Sequence, residues 1–229
     1  MSRKRTGPWR SNRHPVAIGI LAVVIILGIG LYFLAAPALT TPNSYPFPCL
    51  GNESLVYHVH PYLRVVINGQ NVTIPAAIGI HNPFFANGVA GGGQNSCFEP
   101  LHTHDTSGVI HIESESGRNY TLGDFFTVWR DTYPSITING VSMSVTFNSS
   151  DILGFKADST HTLQVLVDGK PYQGGDPTAL VLDALDYCSA ATTTMPCYPT
   201  AVGSPEWNGL SGAYPYGTGH TIEIVYGGG

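Results

Sequence analysis

Histidines are concentrated in two short stretches of this sequence. His58 and His60 are two residues apart, His102 and His104 repeat that spacing, and His111 follows seven residues after His104. Residues i and i+2 of a β-strand project from the same face, so each His-x-His pair directs two imidazoles the same way. Imidazole is a good ligand for copper, zinc, iron and nickel. We therefore predict that these five histidines bind a transition metal, copper or zinc, with binding lost below about pH 6 as the imidazoles protonate.

Two carboxylates accompany the second stretch. Asp105 directly follows His104, and Glu113 lies two residues after His111, so that His111 and Glu113 share a face if Ile112 points inward. A carboxylate near such a site can bind the metal or orient a ligand histidine. Asp105 and Glu113 are therefore the candidate catalytic residues if the site is enzymatic. An Asx turn over 105–108 is the alternative role for Asp105.

The sequence offers further candidate ligands in its remaining histidines and in one cysteine. We predict His81 to be a loop residue, and His161 and His220 to be structural residues at inward positions where strands begin. Cys97 precedes His102 by four intervening residues, an order that resembles the copper ligands of the cupredoxins. The methionine that follows in that family has no counterpart here, which favours a histidine-rich copper or zinc site over a type 1 copper centre.

Alternating apolar residues and turn signals predict a mainly β fold. Residues 55–67 read as one strand that ends in Asn68-Gly69, a type I′ hairpin signal, and residues 135–147 repeat the pattern around Asn139-Gly140. The Gly-rich run 88–93 is typical of a long loop, as is the segment 187–219. Further strands are predicted at 109–113, 162–168 and 221–226.

One short helix is predicted after Thr121. Thr121 and Asp124 have the spacing of a capping box, and the aromatic residues Phe125, Phe126 and Trp129 would share an apolar face. The predicted fold class is therefore a set of β-hairpins in a sandwich- or barrel-like arrangement with one short helix.

The amino-terminal sequence predicts a membrane anchor. Residues 16–36 contain 21 positions without a charge, long enough to cross the roughly 30 Å hydrocarbon core of a bilayer as a helix. The basic tail, residues 1–15, should stay in the cytoplasm by the positive-inside rule, which puts the carboxyl-terminal domain outside. A Pro-rich tether, 37–48, would then precede an extracytoplasmic domain, 49–229. A cleavable signal peptide, with the small-x-small site Ala36-Pro37-Ala38, is the alternative and exports the same domain.

Export is consistent with the cysteines and with the N-glycosylation sequons. Four cysteines in an exported domain favour disulfides, and we predict the pairs Cys49–Cys97 and Cys188–Cys197. A glycoprotein is compatible with four N-x-Ser/Thr sequons. These begin at Asn52, Asn71, Asn119 and Asn148.

The charge distribution argues against a nucleic-acid partner. Five of the ten basic residues lie in the first 13 positions. From position 37 onward there are five basic and all 15 acidic residues, a formal net charge of −10. Phosphate binding requires clustered Lys and Arg, whereas acidic charge together with clustered imidazole suits a cation. The predicted partners are thus a metal ion and, through the amino-terminal helix, a membrane.

Most of residues 55–226 resemble a group of microbial, membrane-anchored exported proteins that have no assigned activity and share an LHTHDxSGxIHIES-like core motif. The resemblance implies an exported, His-rich domain and supplies no reaction. The matching segments are LHTHDTSGVIHIES from Leu101, His58-Val-His60 before a strand ending in Asn68-Gly69, Tyr120-Thr-Leu-Gly-Asp-Phe-Phe, Val167-Asp-Gly-Lys-Pro-Tyr and a closing strand at His220.

Three functions are compatible with these features. The first is a metal-binding protein that holds or delivers copper or zinc at the outer membrane surface. The second is a metal-dependent enzyme, a hydrolase or a copper oxidoreductase, at the same histidines. The third is a structural cell-surface β domain in which the histidines only satisfy hydrogen bonds and no metal binds.

Overall fold

A computed structural model describes residues 45–53, 56–188 and 219–228. Within these ranges, no helix has the length and hydropathy needed to cross a bilayer. The predicted membrane helix, residues 16–36, lies outside them, as do the basic tail and the tether up to residue 44. The described residues belong to one compact unit, Tyr45–Gly229.

The described residues form fifteen β-strands and one α-helix, with a short 3-10 helix at Pro177–Ala179, which confirms the prediction of a mainly β fold with one helix. In chain order these elements are β1 (Tyr57–Val59), β2 (Tyr62–Ile67), β3 (Gln70–Val72), β4 (Ile80–Ala86), β5 (Val89–Phe98), β6 (Leu101–His102), β7 (His111–Ser114), α1 (Leu122–Thr132), β8 (Ser135–Ile138), β9 (Val141–Ser144), β10 (Phe147–Asn148), β11 (Asp151–Ile152), β12 (Phe155–Lys156), β13 (His161–Val167), β14 (Lys170–Pro171) and β15 (Thr221–Gly228).

The strands form two sheets that matter for the site. A five-stranded sheet has the order β14-β13-β15-β2-β3, in which β15 and β2 are parallel. An antiparallel sheet of three strands, β1-β7-β6, is called the histidine sheet below. The strands β10-β11-β12 form a third sheet, and two hairpins, β4-β5 and β8-β9, complete the structure.

A shared apolar core joins these sheets to α1. Alternate residues of β2, such as Leu63 and Val65, enter this core together with Leu101 and Ile112 of the histidine sheet. Trp129 of α1 is fully buried within it. One face of the histidine sheet therefore packs against the apolar core, and polar side chains can lie on the other face.

The sequence signals for α1 are confirmed. The Thr121 hydroxyl accepts a hydrogen bond from the Asp124 backbone N–H at 3.1 Å, and the Asp124 carboxylate accepts one from the Thr121 N–H at 3.0 Å. The two bonds complete the capping box at the helix start. Phe125, Phe126 and Trp129 lie together on the buried face, as predicted.

The prediction of a single strand over residues 55–67 is wrong. The segment forms two strands in different sheets, because β1 pairs with β7 whereas β2 pairs with β15 and β3. Pro61 lies between them and has no N–H to continue a ladder. Its carbonyl instead accepts a hydrogen bond from Ile110 at 2.8 Å, so the chain stays attached to the segment before β7 as it crosses between sheets.

The prediction of a loop over residues 88–93 is also wrong, because most of this run lies in β5. Gly91 pairs with Phe84 of β4, and Gly92 pairs with Pro83, next to a bulge in β4. A Cβ at Gly93 would lie 3.0 Å from the Asn82 carbonyl oxygen and 3.4 Å from the Phe84 Cβ. The glycines therefore allow the two strands to approach closely at this bulge.

The disulfide prediction is confirmed for Cys49–Cys97. Cys188 is also disulfide-bonded, while its predicted partner Cys197 lies outside the described residues. The four sequon asparagines, Asn52, Asn71, Asn119 and Asn148, are all exposed, and their glycosylation stays a prediction.

The carbonyl oxygen of Gly108, three residues before β7, accepts a hydrogen bond from the Leu63 N–H of β2 at 2.9 Å. We predict that Gly108→Ala destabilises the protein more than Gly140→Ala. Both glycines have positive φ, which costs an alanine roughly 1–2 kcal/mol. Only at Gly108 would the added Cβ overlap a backbone atom, the carbonyl oxygen of Leu63, whereas Gly140 has open space. Urea unfolding should show a further loss of about 1–3 kcal/mol for Gly108→Ala. Equal losses in the two variants would contradict this account of the Gly108 contact.

Candidate metal centre

The register of the histidine sheet brings four polar side chains to one face. His58 of β1 lies directly opposite Glu113 of β7, and His102 of β6 lies directly opposite His111. Residues directly opposite each other share a face, as do residues two apart in one strand. His58, His102, His111 and Glu113 therefore project together, which confirms that His111 and Glu113 share a face.

The other two predicted histidines complete the cluster. His60 follows His58 by two residues, and its ring centroid lies 4.5 Å from that of His111. His104 follows His102 by two residues, and its ring centroid lies 4.4 Å from that of His111. All five predicted histidines thus lie together with Glu113, and we call these six residues the histidine cluster.

Two overlapping sets of four residues in this cluster could each hold one metal ion, since their ligand atoms all lie within 4.8 Å of one another. Both sets contain His111 and Glu113. The first quartet adds His58 and His60, and the second quartet adds His102 and His104. Most of these side chains are buried, with His102 having no exposed surface.

The second quartet presents two imidazole lone pairs to each other. His102 Nδ1 lies 2.9 Å from the carbonyl oxygen of Glu99, and His104 Nδ1 lies 2.7 Å from that of Ala90. A carbonyl oxygen only accepts hydrogen bonds, so Nδ1 carries a proton in both rings, and Nε2 of each ring carries a lone pair whenever that ring is neutral. The two Nε2 atoms are 3.2 Å apart. When both rings are neutral, neither atom can donate to the other, and both lone pairs are available to a cation.

The first quartet contains buried polar atoms that have no hydrogen-bond partner. These are Nε2 of His58, Nε2 of His60 and Oε2 of Glu113. His58 Nε2 does lie 2.8 Å from Glu113 Oε1, but it is not aligned for a hydrogen bond. An unpaired buried polar atom costs about 1–3 kcal/mol, and a bound cation would satisfy all three atoms at once.

Burial keeps three of the cluster imidazoles neutral, those of His60, His102 and His111. Burial, followed by the charge of His58, lowers the pKa of His60 to about 4. Burial, followed by the charge of His104, lowers the pKa of His102 and of His111 well below the usual histidine value. Neutral imidazole is the form that binds metals, so these rings stay available as ligands at a lower pH than the limit of about 6 expected from the sequence.

Glu113 is held as a carboxylate by the surrounding rings. Burial raises its pKa, but the contact with His58 and the interactions with the neighbouring imidazoles, that of His102 first, together outweigh burial, so that the net pKa is lowered. A second contact, at 3.1 Å, joins its Oε1 to His111 Nδ1. Glu113 therefore supplies negative charge in the middle of the cluster.

Glu53 is a site residue that the sequence did not reveal. Its Oε1 lies 3.5 Å from His104 Nε2, and it lines a cavity of about 440 Å³ together with Phe98 and Gly92. Burial, followed by the charge of Glu113, raises the pKa of Glu53. Glu53 thus stands at the boundary between the cluster and solvent-accessible space. No spacing in the sequence links it to either His-x-His pair.

Two residues that the sequence suggested for the site, Asp105 and Cys97, are not ligands in the histidine cluster. The Asp105 carboxylate accepts the Ser107 N–H at 2.8 Å, which confirms the alternative role in an Asx turn, and Asp105 belongs to neither quartet. Cys97 is bonded to Cys49 and has no thiolate to offer. The type 1 copper alternative is therefore wrong.

The other described histidines have carboxylate partners of their own. His81 lies on β4 and not in a loop, and its Nε2 is 3.0 Å from Glu99 Oε1. Asp131 is close enough to join this pair as a possible ligand. The two surface contacts are His161 with Asp158 at 3.3 Å and His220 with Asp168 at 2.8 Å. His220 is exposed just before β15, so its predicted inward position is wrong.

We predict that the metal-free protein loses stability as the pH falls from about 6.5 to 4. Over this range the unfolded chain protonates His60 and the folded chain does not, which costs the folded state about 3 kcal/mol at pH 4. His102 and His111 steepen the loss. Urea unfolding in EDTA should show a flatter pH profile for His60→Asn, and parallel profiles for the parent and variant would contradict the assignment.

Comparisons with known proteins assign this chain to no family. The chain matches no protein-family model, no curated protein and no solved structure. Its function is therefore inferred from the residues of the histidine cluster and from their geometry.

Proposed function

We propose that this protein is a membrane-anchored, extracytoplasmic metal-binding protein that holds or delivers copper or zinc. The five histidines of the cluster and Glu113 are the ligands. The observation that carries the proposal is the pair of Nε2 lone pairs of His102 and His104, 3.2 Å apart and fixed by backbone carbonyls on the opposite ring nitrogen. Metal-binding histidines usually donate their second N–H to a carbonyl or a carboxylate in this way.

The donor set favours copper or zinc. Imidazole nitrogens suit both metals, while the described cysteines are disulfide-bonded and supply no thiolate. Tetrahedral coordination with metal–nitrogen bonds of about 2.0–2.1 Å puts two ligand nitrogens about 3.3 Å apart. The 3.2 Å separation of His102 Nε2 and His104 Nε2 is close to this value.

The extracytoplasmic location rests on the sequence of the amino terminus and is supported by the disulfide. Cys49–Cys97 is expected to persist in an oxidising compartment and to be rare in a reducing cytoplasm. The apolar segment 16–36 would keep the domain at the membrane.

Removal of the second His-x-His pair should lower the metal content. The full chain, purified without a polyhistidine tag, should bind copper or zinc at neutral pH, and His102→Ala/His104→Ala should bind less. The matched control is His161→Ala/His220→Ala, which removes two surface histidines outside the cluster and should bind as much as the parent. Elemental analysis after titration and desalting gives the result. No bound metal in the parent, or equal metal in the two double variants, would overturn the proposal.

One observation favours a second candidate function, metal-assisted hydrolysis. Glu53 lies beside His104 at a cavity and has a raised pKa, as suits a general base that takes a proton from metal-bound water. The Asp105 carboxylate accepts a hydrogen bond within its turn, and the Glu113 carboxylate contacts the imidazoles in the middle of the cluster. Glu53 therefore replaces both as the candidate general base.

Glu53→Gln separates this function from metal holding. If the protein is a hydrolase, the zinc-loaded parent cleaves a chromogenic ester, and Glu53→Gln, compared at equal bound zinc, cleaves it at least about 100-fold more slowly. Equal rates in the parent and variant, or a parent rate no higher than that of free zinc, would contradict the hydrolase.

A further inference from the structure

We propose that the histidine cluster is a two-ion centre in which Glu113 bridges two metal ions. The first quartet would hold one ion and the second quartet the other. This inference rests on the proposed metal-binding function and specifies how many ions bind and which residues hold each one.

The two oxygens of Glu113 face different quartets. Oε1 lies 2.8 Å from His58 Nε2 in the first quartet. Oε2 lies 3.9 Å from His102 Nε2 in the second quartet and is buried without a hydrogen-bond partner. A carboxylate with one oxygen toward each set of imidazoles has the arrangement needed to bridge two ions about 3.5–4 Å apart.

The cluster holds more ligand atoms than one ion needs. A zinc ion in a closed site takes four ligands, whereas the six residues offer five imidazole nitrogens and the two oxygens of Glu113. Because both quartets contain His111, which would bind only one of the ions, one ion would have four of these ligands and the other would have three and an open position. Both halves also contain nitrogens suited to a cation: Nε2 of His60, buried without a partner, on one side, and the Nε2 atoms of His102 and His104, which face each other at 3.2 Å, on the other. A single ion in either quartet would leave the other half unsatisfied.

The charge near the cluster also suits two divalent ions. Glu113 lies between the two His-x-His pairs, and Glu53 lies 3.5 Å from His104 at the second quartet. On the other side, Asp186 has a ligand atom within 4.8 Å of one on His60, and its Oδ1 accepts the His60 N–H at 3.1 Å. Three carboxylates therefore lie along the cluster, so that the repulsion between two cations is offset at both ends and in the middle.

Metal titration of the full chain tests the number of ions. With Zn²⁺ or Cu²⁺ alone as the probe, the parent should bind two ions per chain. His58→Ala/His60→Ala and His102→Ala/His104→Ala should each bind one, and the surface control His161→Ala/His220→Ala should bind two. Glu113→Gln should weaken the second ion by about 10- to 100-fold because the bridge loses its charge.

Electron paramagnetic resonance of the Cu²⁺-loaded parent supplies a readout that needs no variant. Two bridged Cu²⁺ ions couple, so the spin count should fall below the copper content measured by elemental analysis. Each pair variant holds an isolated ion and should show a spin count equal to its copper content.

One ion per parent chain at saturation, or two ions whose spins are fully counted, would overturn the bridged centre while leaving the proposed metal-binding function intact. An absence of any bound ion in the parent would overturn that function as well, which distinguishes the two failures.

Discussion

The pairing of β7 with β1 on one side and β6 on the other is the constraint on which the candidate site depends. This register sets His58 opposite Glu113 and His102 opposite His111. A slip of one residue in either ladder would turn one strand's side chains to the other face, since side chains alternate along a strand. Ile112, buried on the core side of β7, opposes such a slip. The apolar core thus fixes the position of the polar cluster, and the site requires no loop to place its central residues.

Burial of so many polar groups on one face is costly without a ligand. Each buried imidazole loses hydration, and several cluster atoms gain no hydrogen bond in return. The lowered pKa of His60, His102 and His111 reflects the same desolvation, which excludes the protonated form. A metal ion is the partner that such a face accommodates, because it binds neutral imidazoles and places a positive charge beside the Glu113 carboxylate. Metal binding and folding of the domain should therefore be coupled.

The sequence predicted what depends on local spacing. The His-x-His pairs, the shared face of His111 and Glu113, the helix cap at Thr121 and the Asn139-Gly140 turn all follow from periods of two or from short turn motifs. It did not predict contacts that depend on which strands pair. The carbonyl oxygens of Glu99 and Ala90, which orient two imidazoles, carry no side-chain signal. The strand through the Gly-rich run was missed because pairing with β4 overrode the local preference for a loop. The break between β1 and β2 was missed although Pro61 signals it locally, because the alternating apolar residues continue in phase across that proline.

The histidines outside the cluster differ from those inside it in the partners of their ring nitrogens. Outside the cluster, His81, His161 and His220 each lie within 3.3 Å of the carboxylate of a different acidic residue. Within the cluster, five imidazoles share the buried carboxylate of Glu113, with Glu53 near His104 alone, and the Nε2 atoms of His102 and His104 face each other. A surface β domain whose histidines only satisfied hydrogen bonds would be expected to pair all of them as the first three are paired. The contrast favours a cation as the partner that the cluster is built to receive.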